Sequence, residues 1–242
     1  MEVLVGTSGW DYRDWKDAVY PPGLPRGRWL EHIAHVFPTV ELNASFYRLP
    51  PRRTFEAWRE RVPDGFVFAV KMSRYLTHVR RLRDPAEPIG RFWDAATGLG
   101  PALGPVLLQF PPGFRVDLGL LEGTLALLPR QMRAAFEFRD PSWGCEAVLD
   151  VLDTAGAAWV LADGPGARVH PHVTGGWSYI RFHRGTADGF GYRPQKLRRW
   201  ADRIVHLPAE SVFVYFNNDP GGAAVRDAER FRAMLGGIPA RA

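Results

Sequence analysis

The segment Phe66-Val67-Phe68-Ala69-Val70-Lys71 decides the fold of this chain. Phe68 and Val70 are large and apolar, and they alternate with Ala69 and Lys71. Successive side chains of a strand point to opposite faces, so one face of this strand is apolar and the other ends in a charge. This pattern is typical of a sheet with helices packed against one face and a polar site at the end of the other.

Eight short apolar runs of this kind occur along the chain, and most are followed by a Gly- or Pro-rich loop and a helical pattern. The alternation predicts βαβ units and a parallel sheet. The predicted strands are Val3–Gly6, Thr39–Leu42, Phe66–Lys71, Val106–Gln109, Ala134–Phe138, Ala158–Leu161, Ser178–Phe182 and Val212–Phe216. The predicted helices are Arg28–Phe37, Thr54–Arg61, Pro85–Gly98, Leu118–Leu128, Glu146–Ala155, Gln195–His206 and Ala223–Leu235.

Eight strands in 242 residues predict an α/β fold, a TIM-like (β/α) barrel with parallel strands and a single domain over residues 1–242. Residues 164–172, between the sixth and seventh strands, have the composition of a loop. We therefore expect an irregular barrel that lacks the helix at this point. A doubly wound open sheet is the alternative, but Gly6-Thr7-Ser8-Gly9 lacks the glycine spacing of a dinucleotide-binding turn.

Composition indicates an ordinary globular protein. The hydrophobic fraction is 46%, the formal net charge is +5, and Cys145 is the single cysteine, so no internal disulfide can form. No apolar run approaches the ~20 residues that span a bilayer. The first residues enter a strand pattern at once, which is unlike a secretory signal. We expect a cytoplasmic protein without a membrane partner.

Seven motifs coincide with the predicted strand ends, from the first strand to the last. They are Gly6-Thr7-Ser8-Gly9-Trp10, Glu41-Leu42-Asn43-Ala44-Ser45-Phe46-Tyr47, Phe68-Ala69-Val70-Lys71, Leu107-Leu108-Gln109-Phe110-Pro111-Pro112, Glu137-Phe138-Arg139 with Ser142-Trp143, Tyr179-Ile180-Arg181-Phe182-His183 and Tyr215-Phe216-Asn217-Asn218-Asp219. Together they resemble the YecE-like (DUF72) family of TIM barrels. The resemblance implies the barrel and no particular reaction. One departure is Arg184, which stands where that family usually has a glycine.

Polar side chains on the inner face of the strands gather at their carboxyl ends, where barrels of this type carry catalytic or binding residues. Glu41 and Glu137 can act as an acid and a base if their environments separate their pKa values. Two structural ion pairs with Lys71 and Arg139 are the alternative. A buried Lys71 can act as a base, but a permanent cation is the simpler role. His183 can be a general acid/base, a metal ligand or a structural histidine.

These considerations give a set of candidate site residues. The predicted catalytic residues are Glu41, Lys71, Glu137 and His183, and the predicted substrate-binding residues are Asn43, Tyr47, Gln109, Arg139, Trp143, Arg181, Asn217 and Asp219. Asp219 can instead cap the last helix, and the glycines after it can bind an anion at the helix terminus. We predict no metal site, and the sequence identifies no cofactor.

Three functions are compatible with these residues. The first is an enzyme that acts by acid/base chemistry on a small anionic or polyhydroxylated substrate at the mouth of the barrel, with hydrolase, lyase and isomerase all open. The second is a nucleic-acid-binding or processing protein that uses basic and aromatic surface residues. The third is a non-catalytic protein that binds the same small ligand. The sequence leaves the oligomeric state open.

Overall fold

A computed structural model describes residues 1–163, 172–183, 185 and 190–237. Eight parallel strands close into a barrel in sequence order, with β8 paired to β1, as the alternation of strands and helices predicts. The strands are β1 (Glu2–Thr7), β2 (Thr39–Leu42), β3 (Val67–Lys71), β4 (Leu103–Gln109), β5 (Ala134–Glu137), β6 (Ala158–Asp163), β7 (Trp177–Phe182) and β8 (Ser211–Phe216). The helices are α1 (Trp29–Val36), α2 (Ala44–Tyr47), α3 (Arg52–Arg59), α4 (Ala86–Ala96), α5 (Leu118–Leu125), α6 (Glu146–Thr154), α7 (Pro194–Ile204) and α8 (Ala223–Gly236).

The structure differs from the sequence-based expectation mainly at helix ends. Helix α3 begins at Arg52, directly after Pro51, and Thr54 lies inside the helix and does not cap it. The fixed φ of proline suits the residue at which a helix starts. Helix α2 has four residues and is too short to produce a periodic pattern. The predicted absence of a helix between β6 and β7 concerns residues 164–171, which lie outside the described residues, as does Arg184.

Two apolar cores follow from the alternation of side chains along the strands. The outer core lies between strands and helices and contains large side chains such as Phe68, Val70 and Phe136. The inner core fills the barrel axis with Ala69, Leu107, Val160, Tyr179 and Tyr215, among others. Lys71 and Arg181 lie two residues beyond Ala69 and Tyr179 on the same strands, so the inner face becomes charged at the carboxyl ends of the strands.

The amino-terminal end of the barrel is closed differently, by a group that we call the floor: Arg133, Trp177, Ser211 and Phe213. The Arg133 guanidinium carbon lies 4.5 Å from the centroid of the Trp177 ring and 5.1 Å from that of Phe213. Arg133 Nη2 also donates to Ser211 Oγ at 2.8 Å. A recess of about 510 Å³ opens beside this arginine. None of the helices within the described ranges is long and apolar enough to cross a membrane.

Candidate functional site at the mouth of the barrel

Inward side chains at the carboxyl ends of five strands converge on one point. We call them the mouth cluster: Glu41, Lys71, Gln109, Glu137 and Arg181. All five are buried, with Lys71 the most exposed at 9%. The sequence places these side chains at strand ends and on the inward face of the strands. The structure brings them together, as that pattern predicts. Their chemistry depends on the atoms that each side chain contacts.

Arg181 lies at the centre of the cluster and joins its two carboxylates. Its Nε and Nη2 donate to Glu41 Oε2 and Oε1 at 2.8 and 2.6 Å, which makes a bidentate ion pair. Its Nη1 donates to Glu137 Oε2 at 2.7 Å. Burial opposes the charged form of the guanidinium, but the two carboxylates outweigh burial and raise the pKa of Arg181. Arg181 thus offsets one of the two negative charges that it joins, and the three side chains together carry one net negative charge beside Lys71.

Glu41 has a hydrogen-bond donor in every available direction. Ser8 Oγ donates to its Oε1, Asn43 Nδ2 approaches the same oxygen at 3.3 Å, and Tyr179 OH donates to Oε2 at 2.7 Å. Burial raises the pKa of this carboxyl, but Arg181, Lys71 and Ser8 together lower it below its ordinary value. Glu41 is therefore ionised and fully engaged.

Glu137 is held in a similar way and also orients a histidine. Gln109 Nε2 donates to Glu137 Oε1 at 2.7 Å, and His183 Nε2 lies 3.1 Å from the same oxygen. Asn217 Nδ2 lies 3.2 Å from the other ring nitrogen, His183 Nδ1. A neutral ring with its proton on Nε2 fits both partners. Burial raises the pKa of Glu137, but Arg181 and His183 bring it well below its ordinary value.

Lys71 has spare hydrogen-bonding capacity. Its Nζ donates to Gln109 Oε1 at 2.8 Å and lies 4.3 Å from the centroid of the Phe46 ring. Within the described residues this is its single hydrogen bond, whereas an ammonium group can make three. Burial, followed by the charge of Arg181, lowers the pKa of Lys71 from 10.5 to about 8. The site therefore holds a desolvated ammonium group with donors to offer.

Asp219 lies at the edge of the mouth, next to Tyr12. Burial raises the pKa of Asp219 from 3.8 to about 7, and the Tyr12 hydroxyl opposes that rise. The prediction that Asp219 caps the last helix is wrong, because its side chain makes no capping bond and the residue before α8 is Gly222. The amide of Gly221, predicted to help bind an anion, donates to Asp14 Oδ2 at 2.7 Å.

The remaining candidates lie away from the centre of the cluster. Arg139 lies at the edge, with Nε 3.6 Å from Glu137 Oε1 and its side chain 46% exposed. Tyr47 projects outward into solvent. Trp143 is fully buried, stacks on Phe138 at 4.0 Å and donates from Nε1 to Phe114 O, so its ring packs inside the protein. Among the described residues no three His, Cys, Asp or Glu side chains are grouped as metal ligands would be.

Sequence reasoning did not assign site roles to three residues that the structure places here. Ser8 and Tyr179 donate to Glu41, and the Tyr12 hydroxyl donates to the Ser8 carbonyl. The sequence could have predicted Tyr179, because it lies two residues before Arg181 on the same strand and therefore points to the same inner face. Ser8 and Tyr12 lie in the loop after β1, where parity gives no direction.

A closed parallel barrel with a cluster of buried charges at the carboxyl ends of its strands defines a TIM-barrel protein with a candidate site at the mouth. Residues 4–241 match the family described as "Protein of unknown function DUF72". The chain belongs to this family, in agreement with the resemblance that the sequence motifs show.

Similar proteins agree with this assignment. The chain is 28% identical over 270 residues to UPF0759 protein YunF of Bacillus subtilis (strain 168), covering 96% of this chain and 94% of that protein. A crystal structure of the DUF72 family protein TM1631 of Thermotoga maritima is 30% identical, has a TM-score of 0.88, and is matched over 98% of this chain and 100% of that chain. The structure of EF0366 of Enterococcus faecalis, at 20% identity, 98% and 96% coverage and a TM-score of 0.83, shares the fold.

Proposed function

We propose that this protein is an enzyme that binds a small anionic substrate at the mouth of the barrel and transfers a proton beside it, with Lys71 as the central residue. The observation that carries the proposal is the Lys71 ammonium group, which is nine-tenths buried and makes one hydrogen bond within the described residues. A desolvated cation with free donors is stabilised by an incoming carboxylate or phosphate.

The charge distribution of the mouth favours an anion. Arg181 neutralises much of the charge of Glu41 and Glu137, and the carboxylate oxygens are occupied by donors. The cations left facing a ligand are Lys71 and, at the edge, Arg139. An anionic group can therefore approach Lys71 without meeting a free carboxylate.

Lys71 also has the pKa that proton transfer near neutral pH requires. A general acid or base works best when its pKa is close to the working pH, and burial has brought Lys71 to about 8. Its proton can pass to a substrate atom in the same pocket. An anion bound beside the ammonium would raise its pKa again, so Lys71 can hold the substrate as a cation and act as an acid.

The carboxylates have a positioning role in this proposal. A glycosidase-type pair needs one carboxyl that keeps a proton near neutral pH, whereas the pKa values of Glu41 and Glu137 both lie below the ordinary value. Glu137 orients His183, and Asn217 holds the other side of the ring. The amide oxygen of Asn43, which has no partner among the described residues, and the amide of Asn217 then offer hydrogen bonds to hydroxyl groups of the substrate.

Calorimetric titration with inorganic phosphate and sulfate at low salt tests the proposal. We expect the unmodified protein to bind at least one of them with a Kd below tens of millimolar, on the scale of weak specific binding. Lys71→Met should weaken binding by about tenfold or more, because a charge-assisted hydrogen bond is lost. Binding to the unmodified protein should weaken as the pH rises through about 8, where Lys71 loses its charge.

Lys16→Met is the matched control, because it removes the same charge from an exposed lysine in the loop after β1. It should leave phosphate and sulfate binding unchanged. Equal losses in the two variants would reduce the effect to overall charge, and the absence of binding by the unmodified protein would count against an anion site.

A further inference from the structure

Exposed aromatic and basic side chains concentrate on the loops after β2 and β3, beside the mouth. These loops, residues 43–51 and 72–85, contain five arginines and one acidic residue, Asp84. Asp84 pairs with Arg80 at 2.9 Å, and the other four arginines make no salt bridge within the described residues. We call the exposed group the rim surface: Tyr47, Arg48, Arg74, Tyr75, Arg81 and Arg83.

The geometry points to the rim surface as a binding site for single-stranded nucleic acid, with bases stacked on Tyr47 and Tyr75 and phosphates held by the unpaired arginines. Tyr47 is 80% exposed and Tyr75 is 42% exposed. Aromatic rings that project from a basic surface are the usual platform for unpaired bases, which offer a free ring face next to each phosphate. This binding goes beyond the proposed function and does not depend on the reaction at the mouth.

The loop after β3 has a fixed and unusual shape. It begins with a π-helical turn, Tyr75–Arg80, and continues through left-handed backbone at Arg81, Leu82 and Asp84, with φ values of 49°, 65° and 45°. Such strained conformations persist where the surroundings hold them and are common at functional sites. Here the surroundings are apolar anchors, because Leu82 and, on the turn, Leu76 are buried.

That anchoring determines which side chains face solvent. Leu82 points into the core, and its neighbours Arg81 and Arg83 on either side are exposed. Arg80 lies with its guanidinium carbon 5.3 Å from the Tyr75 ring centroid and donates to the Tyr75 hydroxyl, which holds the ring in place. A ring that is already positioned loses little entropy when a ligand binds.

The two loops pack against each other. The edge-to-face contact of Tyr47 with Phe46 has a centroid distance of 5.1 Å, and Phe46 contacts His78 on the π-helical turn at 5.0 Å. Phe46 also lies under the Lys71 ammonium group. A strand that stacks on Tyr47 and Tyr75 therefore runs along the edge of the mouth.

Fluorescence anisotropy with a labelled 12-nucleotide oligothymidylate tests the inference. We expect saturable binding whose logarithmic salt dependence has a slope of about −2 to −3, since each phosphate contact contributes roughly −0.7 on single strands. Tyr47→Ala should weaken binding by roughly five- to 150-fold, the range for one base–aromatic stack, and Tyr47→Phe should restore it. Replacing Arg48 and Arg74 by Gln should make the slope shallower by about 1.4.

Matched controls come from the opposite end of the barrel. Leu127→Ala and Arg130→Gln remove an exposed apolar side chain and an exposed charge from the segment between α5 and β5. Neither should change oligonucleotide affinity. Phosphate binding should be unchanged in Tyr75→Ala, so that a failure of the rim surface and a failure of the anion site at the mouth give different results.

Three outcomes would overturn the inference. The first is oligonucleotide binding that Tyr47→Ala and Tyr75→Ala leave intact, since stacking would then be absent. The second is equal affinity for a duplex of the same length, whose bases have no free faces. The third is equal affinity for polyglutamate of matched charge, which would show a surface that recognises charge alone.

Discussion

The two ends of the barrel each place an arginine near the axis, and the protein treats these arginines in opposite ways. At the mouth, Arg181 is 1% exposed and is neutralised by Glu41 and Glu137. At the floor, Arg133 lies over the faces of Trp177 and Phe213, and its nearest acids, Glu2 and Glu210, make no ion pair with it among the described residues. Both side chains are arginines, but Arg133 is exposed to water and Arg181 is not.

The comparison shows how burial determines what a charge requires. A guanidinium group that reaches water can cover apolar rings with its flat face and remain hydrated at its edge. A guanidinium group removed from water needs charged partners in good geometry. Arg181 therefore depends on its carboxylates, and they depend on it, whereas the floor can lose Arg133 without leaving another charge unpaired.

The sharpest test of this difference is Arg181→Met. Removing one member of a buried ion-pair network typically costs about 3–5 kcal/mol, because the remaining charges are left uncompensated. For a chain of this size that corresponds to a fall in Tm of roughly 6–20 °C. Thermal unfolding followed by circular dichroism measures it. A fall no larger than that of Arg133→Met would remove the distinction between the two ends.

Asp219→Asn tests whether an ionised carboxylate that is buried at the mouth without a cationic partner among the described residues destabilises the folded protein. The folded pKa of about 7 lies above the unfolded value of 3.8, so the folded protein binds more protons between these values. The unmodified protein therefore loses stability as the pH rises from about 4 to 7, and Asp219→Asn does not. We expect the variant to melt several degrees higher at pH 8 and the difference to shrink toward pH 4. A pH-independent difference would contradict this.

Lys71→Met tests whether burial of an ammonium group at the mouth destabilises the folded protein. The folded pKa of about 8 lies below the unfolded value of 10.5, so the unfolded chain binds more protons between them. Lys71 therefore penalises the folded state fully below pH 8, and that penalty disappears as the pH rises to about 10.5. The Tm of the variant should lie within a few degrees of the unmodified protein at pH 7, and its relative stability should fall above pH 8. A large loss at pH 7 would make Lys71 part of the scaffold.

Arg133→Met should have the smallest effect. An exposed cation over aromatic rings, as Arg133 is here, contributes roughly 0.5–1 kcal/mol, and methionine retains part of the apolar cover. We expect the Tm to fall by about 1–4 °C, with phosphate binding at the mouth unchanged. Calorimetric unfolding scans of both arginine variants under one buffer condition provide the direct comparison. A loss equal to that of Arg181→Met would show that the floor is as charge-dependent as the mouth.

The sequence predicted the barrel well, because eight strands followed by helical patterns leave few topologies. Alternation along the strands also brought Glu41, Lys71, Glu137 and Arg181 to one end. It could not assign their partners. Of the expected carboxylate pairings with Lys71 and Arg139, the structure has Arg139 at 3.6 Å from Glu137, but the central partner is Arg181, which reaches across the axis to both carboxylates. Parity gives the face of a strand, but the reach of a side chain depends on its rotamer and on the shape of the closed barrel.

Arg181 has one further consequence, for the order in which the chain can fold. Its two partners lie 140 and 44 residues away, on β2 and β5, and neither strand is a neighbour of β7 in the sheet. Charges so far apart in sequence cannot leave water until the strands have closed around them. A half-barrel made of β1–β4 would leave Glu41 without Arg181, and one made of β5–β8 would keep the Glu137–Arg181 pair but lose Glu41. The same three side chains that fill the mouth therefore favour folding of the barrel as one unit over independent folding of its halves.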